Sequence, residues 1–322
     1  MKILLVTFFI CFNLQAFSGD SRSAKKKACD ENLTCQMAMS GVFGNEDDRV
    51  QVQAADYNNH FKAIGKIERI RHISETSKAT NHCTGTLIDG FGQFDKKSHP
   101  NKYVLTAGHC VYEPEYADIA KGRSLVFIPS YGIEKASYSR YRVEKVLIDA
   151  DYLKSRIDFK ESLLQNDWAL LKLEREVSEV PKRERAFLKP AKSDVALPVV
   201  NLGYPGYYNF DWVKSTMLFK HYGISLISPN LKLMSMTNEV SSGQSGGPIV
   251  ERAALENKMN PKTGERPYPS SKVQIVGINV ASSSFDNRVT NQKDPEFNSG
   301  VTINENIVRK IKNWILKEEG KL

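Results

Sequence analysis

Between about residue 42 and residue 305 the chain alternates short apolar stretches with turns that carry glycine, proline and asparagine. The stretches Tyr103 to Leu105, Ser124 to Ile128, Val143 to Ile148, Trp168 to Leu173, Val199 to Leu202, Leu231 to Met236, Pro248 to Val250 and Val273 to Val280 each read as a strand. Short strands in series with turn residues between them predict an all-β barrel or sandwich. Helical spacing stands out at Ile307, Val308, Ile311, Trp314 and Ile315, with Thr302 and Glu305 reading as a capping box. A C-terminal helix is therefore predicted over about 303–318. Segments 89–101, 150–165, 252–272 and 283–299 are polar and longer than a compact connection requires. They are predicted as surface loops, of the kind that shape clefts.

The first residues follow another pattern. Lys2, an apolar run from Ile3 to Leu14 and small residues near Ala16 and Ser18 have the layout of a cleavable secretory signal over 1–18, too short to cross a bilayer. Residues 19–41 are polar, include Lys25, Lys26 and Lys27, and read as a pro-segment or N-terminal arm. The remainder, 42–322, is long enough for a sizeable core, and export from the cytoplasm, extracellular or periplasmic, is expected. The formal charge is +8, yet the basic residues are scattered among acids with no stripe. That distribution indicates a solvated surface, with no nucleic-acid partner and no membrane partner once the signal is removed; separately, a monomer is the expected state. Of five cysteines, Cys11 lies in the signal, leaving Cys29, Cys35, Cys83 and Cys110. Four pair without remainder in an oxidising compartment, and closeness in sequence suggests Cys29 with Cys35. Neither C-x-x-C nor H-E-x-x-H spacing occurs, so no metal is expected, and nothing calls for a cofactor.

Candidate chemistry lies in three segments. In Ser242-Gly243-Gln244-Ser245-Gly246-Gly247-Pro248 a serine is set among glycines just before an apolar strand. Glycine permits backbone conformations barred to other residues, so the amides of Gly243 and Ser245 can converge as an oxyanion-binding pair. A serine hydroxyl needs a base, and Thr106-Ala107-Gly108-His109-Cys110 supplies His109 where a strand ends. His60, His72, His82, His99 and His221 lack such a setting and read as surface or structural residues. A carboxylate to orient the imidazole is best sought at Asp167, which leads into the apolar strand Trp168 to Leu173; Asp149, Asp151 and Asp158 are competitors without that context. The Gly-x-Ser-x-Gly string also fits a lipase elbow, but the chain order His, Asp, Ser and the strand after the serine argue against it.

Thr106 to Cys110, Asn166 to Leu173 and Gly243 to Pro248, in that order, resemble the chymotrypsin-like serine peptidases. Val42 to Arg49, Cys83 to Ile88 and Gly203 to Gly206 are similar to the V8-like, or glutamyl-endopeptidase, branch. The resemblance implies two six-stranded antiparallel barrels, about 42–180 and 181–303, followed by the helix. It also implies a Cys83–Cys110 disulfide and a secreted endopeptidase, made as a zymogen and acting on proteins or peptides, with His109, Asp167 and Ser245 as its triad. Gln244 stands where trypsin-like members carry an aspartate that pairs with a freed amino terminus, so that switch is expected to be absent, though cleavage near Ser40 to Val42 remains open. For the substrate pocket, Val240 and Asn279 occupy positions where glutamyl endopeptidases have a hydroxyl residue and a histidine. Glu239 falls where trypsin-like enzymes bind basic residues. Acidic, basic and mixed P1 preferences all stay open at this point. The rival class is an inactive homologue that uses the scaffold for binding.

Overall fold

A computed structural model describes residues 47–53, 61–72, 78–89, 101–112, 125–132, 139–158, 162–181, 185–191, 196–208, 211–212, 217–228, 230, 232–252, 273–281 and 298–322. The signal, the 19–41 arm, the Cys29–Cys35 pair, and most of the predicted loops at 89–101, 252–272 and 283–299 lie outside those residues.

A short strand β1 (Val50–Gln51) precedes a first group formed by β2 (Ile64–His72), β3 (Lys78–Leu87), β4 (Tyr103–Thr106), β5 (Leu125–Pro129), β6 (Tyr141–Ile148) and β7 (Ala169–Leu173). These six close into a barrel in the order β2-β3-β4-β7-β6-β5. Next come β8 (Phe187–Leu188), β9 (Ala196–Gly203) and a ribbon of β10 (Tyr207–Tyr208) and β11 (Asp211–Trp212). Then follow β12 (Phe219–Ile227), β13 (Leu233–Met236), β14 (Pro248–Glu251), β15 (Gln274–Ala281) and β16 (Asn298–Thr302). The path β12-β13-β16-β15-β14-β9 returns to β12 through an antiparallel β9–β12 pairing, which closes a second six-stranded barrel. β1 adds antiparallel to β12, and β8 adds parallel to β15.

Side-chain alternation explains part of this architecture. In β6, Tyr141 and Val143 face inward while Arg142 and Glu144 face solvent, the period of a half-buried strand. β4 and β5 are buried along their whole length, which suits the apolar sequence of β5 and, in β4, the Thr106 hydroxyl satisfied by the Thr84 carbonyl at 2.9 Å. β2 is harder to see in the sequence because Lys66 and Glu68 are themselves buried, paired to one another at 3.4 Å, with Arg140 reaching Glu68 at 2.6 Å. One continuous core joins the barrels, running from Leu105, Phe127 and Leu170 in the first to Val200, Leu202 and Ile278 in the second.

Three helices complete the described chain: α1 (Ala150–Asp158), α2 (Ser162–Gln165) and α3 (Glu305–Glu318). α1 and α2 correct the expectation of a loop at 150–165. Asp149 accepts from the amide of Asp151 at 2.8 Å at the start of α1, and Tyr152 and Leu164 are buried, so a polar sequence still carries enough anchors to fold. The cap of α3 also differs from expectation. Asn304, not Thr302, accepts from the amide of Ile307 at 3.0 Å, because β16 extends through Thr302. Ile307, Ile311 and Ile315 bury one face of α3. Trp314 packs on Trp168 at 5.2 Å, while Glu318 reaches Lys145 and Lys172 of the first barrel at 2.5 and 3.3 Å. Among the described residues no helix is long and apolar enough to cross a membrane.

Candidate active site

His109 sits in a single 3-10 turn, Gly108–Cys110, directly after β4. Two neighbours fix it. Cys110 is joined to Cys83 of β3 by a disulfide, as the family resemblance implied. Asp167, which precedes β7, accepts from the His109 amide through Oδ1 and faces Nδ1 of the imidazole through Oδ2, both at 2.7 Å. With Asp167 taking its proton-bearing Nδ1 side, Nε2 is left as the nitrogen able to accept a proton. Asp167 is 3% exposed, which keeps water from competing for its oxygens. Its amide donates to the Leu164 carbonyl of α2 at 3.3 Å, so the helical segment supports the carboxylate. A side chain at Gly108 would fall 3.0 Å from Asp167 Oδ1 and 3.1 Å from the Tyr152 ring of α1, which explains the glycine before the histidine. Two of the competing acids are otherwise engaged, Asp149 and Asp151 pairing with Lys310 of α3 at 2.7 and 3.2 Å.

The serine loop approaches from the second barrel. Gly243 and Gly246 have φ of +93° and +79°, the region that only glycine enters without strain. Both are also crowded. A Cβ at Gly243 would lie 2.3 Å from Nε2 of His82, and one at Gly246 would lie 2.1 Å from Thr106 Oγ1 and 2.9 Å from the Ala107 amide. Gly246 therefore abuts the residues that lead into His109, bringing the Ser245 segment to the His109 turn. The amides of Gln244, Gly246 and Gly247 donate to the carbonyls of Ser241, Asn279 and Gln244. Those of Gly243 and Ser245 donate to no group among the described residues. Two amide donors are thus left on either side of Gln244. No hydrogen bond joins Nε2 of His109 to the Ser245 hydroxyl.

Thr84 of β3, quoted above only within a motif, stitches the barrels together at this point. Its amide donates to the Ser245 carbonyl at 2.8 Å. Its hydroxyl donates to the Gly243 carbonyl and accepts from the Tyr204 amide, both at 2.9 Å. His82, read from sequence as a surface or structural residue, lies beside this joint with Nε2 donating to the Tyr204 carbonyl at 3.2 Å. Burial, with the Lys66 ammonium as the second cause, pushes the His82 pKa down to about 4. Neither role has a signature in sequence, because both arise from contacts more than a hundred residues apart.

The pocket candidates are all buried: Glu239 is 3% exposed, and Val240 and Asn279 are 2% exposed. A Glu239 carboxylate oxygen accepts from the Asp48 amide at 2.7 Å, and its own amide donates to Nδ1 of His221 at 2.5 Å. His221 is consequently held as the neutral tautomer with its proton on Nε2, and burial lowers its pKa. Asn279 brackets the serine loop, its carbonyl accepting from Gly246 and its amide donating to the Gly247 carbonyl. Its side-chain Oδ1 is buried and has no hydrogen-bond partner among the described residues. The sulfurs of Cys83 and Cys110 lie within 4.8 Å of a His109 ring nitrogen. Tied to each other in a disulfide, they offer no thiolate to a metal, so the cluster is a brace.

The Trypsin family model matches residues 71–305. No curated protein matches the chain. Among solved structures the fold is similar to a Glu endopeptidase in complex with MPD, at 18% identity and a TM-score of 0.55 over 85% of this chain and 99% of that one. It is also similar to a thermostable serine protease from an extremophilic microorganism, at 15% identity and 0.52 over 81% and 98% of the two chains. The protease Anisep from Arthrobacter nicotinovorans gives 15% identity and 0.50 over 80% and 96%.

Proposed function

Because the chain belongs to the trypsin family of serine endopeptidases, we propose that it cleaves peptide bonds with Ser245 as nucleophile, His109 as general base and Asp167 as the orienting carboxylate. The observation that carries this reading is the two-point Asp167–His109 contact mounted beside a serine loop whose Gly243 and Ser245 amides stay unengaged. His109 Nε2 takes the Ser245 proton as Oγ adds to the scissile carbonyl. The resulting oxyanion accepts hydrogen bonds from the Gly243 and Ser245 amides. Collapse of this intermediate breaks the C–N bond, and His109 returns the proton to the leaving amine. Water, deprotonated by the same imidazole, then releases the acyl group and regenerates Ser245. The Nε2–Oγ contact tightens when substrate is bound, as catalytic hydrogen bonds commonly do. Ser245→Ala is expected to fold like the parent and to lose kcat by about 10⁴-fold or more. A folded Ser245→Ala protein that still turned over at the parent rate would refute the assignment. It would also bring back the inactive-homologue reading, with another protein responsible for the activity.

For P1 we propose a side chain that donates hydrogen bonds, basic or neutral, over an acidic one. Asn279 brings a buried Oδ1 with no hydrogen-bond partner among the described residues, and Glu239, whose carboxylate also accepts from the Asp48 amide, adds acidic rather than basic character to the pocket. Competition between otherwise identical peptides with Lys, Gln and Glu at P1 tests this, and preferential cleavage after Glu would contradict it. The segments cited above for the V8-like branch support membership of that branch. Export follows from the apolar leader and from the disulfide, which persists in an oxidising compartment. The proposed boundaries are a signal at 1–18, an arm or pro-segment at 19–41 and the peptidase domain from 42. Amino-terminal sequencing of protein recovered outside the cytoplasm would move these boundaries if it found another start.

A further inference from the structure

The segment 47–49 reaches the serine loop from about two hundred residues away in sequence. It is laid along the second barrel by the β1–β12 pairing and by the Val52 amide, which donates to the Leu218 carbonyl at 2.8 Å. Within it, the side chain of Arg49 is buried at 1% exposure. Its Nε and Nη2 donate to the two oxygens of Asp47 at 2.7 and 2.5 Å, a bidentate pair. Its Nη1 donates to Ser241 Oγ and to Gln244 Oε1, each at 2.5 Å. The same Gln244 oxygen accepts from the Ser241 amide at 2.9 Å. Gln244 is fully buried, seated where a Cβ on Gly203 would fall 2.9 Å from its own Cβ. One cation therefore grips both residues that flank the Ser242–Gly243 turn.

Taking a guanidinium out of water is costly, pairing offsets that cost only in part, and well-packed apolar replacements for buried ion pairs are often neutral or stabilising. Stability alone is thus a weak reason for the Asp47–Arg49 pair. Its geometry supplies a better one, because the loop it grips carries the two free amides, and an oxyanion site acts only if its donors are fixed before charge develops. Taking Ser245 as the nucleophile, we infer that Arg49 is a positioning residue for the oxyanion site. With Asp47 it locks Ser241 and Gln244 so that Gly243 keeps its left-handed conformation and the Gly243 and Ser245 amides stay turned away from the protein's own acceptors. The cation is a side chain within the folded chain, so the lock needs no newly generated amino terminus.

Two variants test this, the near-isosteric Gln244→Met and the shorter, uncharged Arg49→Met, with Arg49→Lys as the conservative comparison. Steady-state kinetics on a peptide substrate, the rate of Ser245 labelling by a fluorophosphonate and the thermal melt would be measured for each full-length protein. Removing one oxyanion donor outright costs about 10²–10³ in kcat, so loosening both is expected to lower kcat by roughly 10- to 100-fold, with KM within about twofold. Labelling should slow in step, and Arg49→Lys should recover part of both. Folded variants with parent kcat overturn the inference. So does a KM that rises while kcat holds, which would mark a role in substrate binding. If Arg49→Met fails to fold, Gln244→Met decides alone, since it leaves Arg49 paired with Asp47. A parent protein that never labels at Ser245 would defeat the assignment of the nucleophile, whereas equal labelling of parent and variants would defeat only the positioning role.

Discussion

At Asp167 one carboxylate serves two donors, the amide and the Nδ1 of the same histidine, so it fixes both the position and the tautomer of His109. Asp167→Asn keeps the shape but can offer only one acceptor oxygen. The remaining amide group presents N–H bonds toward the histidine, and the ring is driven to the wrong tautomer. The expected effect is a fall in kcat of about 10⁴-fold with little change in folding, read from kinetics and a thermal melt. A loss below tenfold would show that Asp167 does not orient the base. His82 lends itself to a test through pH. Held down at about 4 in the fold, it stays neutral where the unfolded chain, with its value of 6.5, already takes up a proton. The contribution to stability is complete above about pH 6.5 and is lost as pH falls toward 4, at up to about 1.4 kcal/mol per pH unit. Urea unfolding of the parent should therefore weaken between about pH 7 and pH 4.5 by more than that of His82→Gln. Parallel curves would contradict this. The candidate residues Ser245, His109 and Asp167 stood out from their tight motifs before any fold was known, and the structure brings their segments together. Arg49 and Thr84 did not stand out, since a buried arginine and a bridging threonine acquire their meaning only from partners across the molecule.

Among the elements, β4 with its following turn matters most to the site. β4 is buried on all four residues and hydrogen-bonded on both sides, to β3 and β7, so the turn carrying His109 starts from a rigid base. The disulfide ties that turn back to β3 across a separation of 27 residues, and closing a loop of that length should stabilise the fold by about 3–4 kcal/mol. Replacing both Cys83 and Cys110 by alanine is expected to lower stability by that order and to reduce kcat, because the proposed base His109 loses its brace. Unchanged unfolding in urea would argue that the cross-link is incidental. The unbroken apolar sequence of β5 and the apolar runs within β7 and β9 could be read directly from the chain. β2 hid its burial behind paired charges, and β3 behind a polar sequence, Lys78 to Thr86. α1 and α2 were missed because few apolar positions mark them, yet they support Asp167 and crowd Gly108.

At the scale of the whole molecule, the site exists only where the barrels meet. The first barrel supplies His109 and Asp167 and the second supplies Ser245, with Thr84, Tyr204 and the buried core joining the halves. α3 leaves the second barrel and ends on the first, where Glu318 meets Lys145 and Lys172, so it straps the two together. The family resemblance implied two barrels, but the apolar pattern alone left barrel and sandwich undecided, because closure depends on pairings such as β9 with β12 that sequence does not display. The most direct test of the whole account is the reaction of the folded protein with a fluorophosphonate, followed by mass-spectrometric mapping of the adduct. A single phosphonylated residue at Ser245, formed by the parent and abolished in a folded His109→Ala variant, is the expected result. No adduct on active protein, an adduct on a different serine, or labelling of Ser245 that persists without His109 would contradict it.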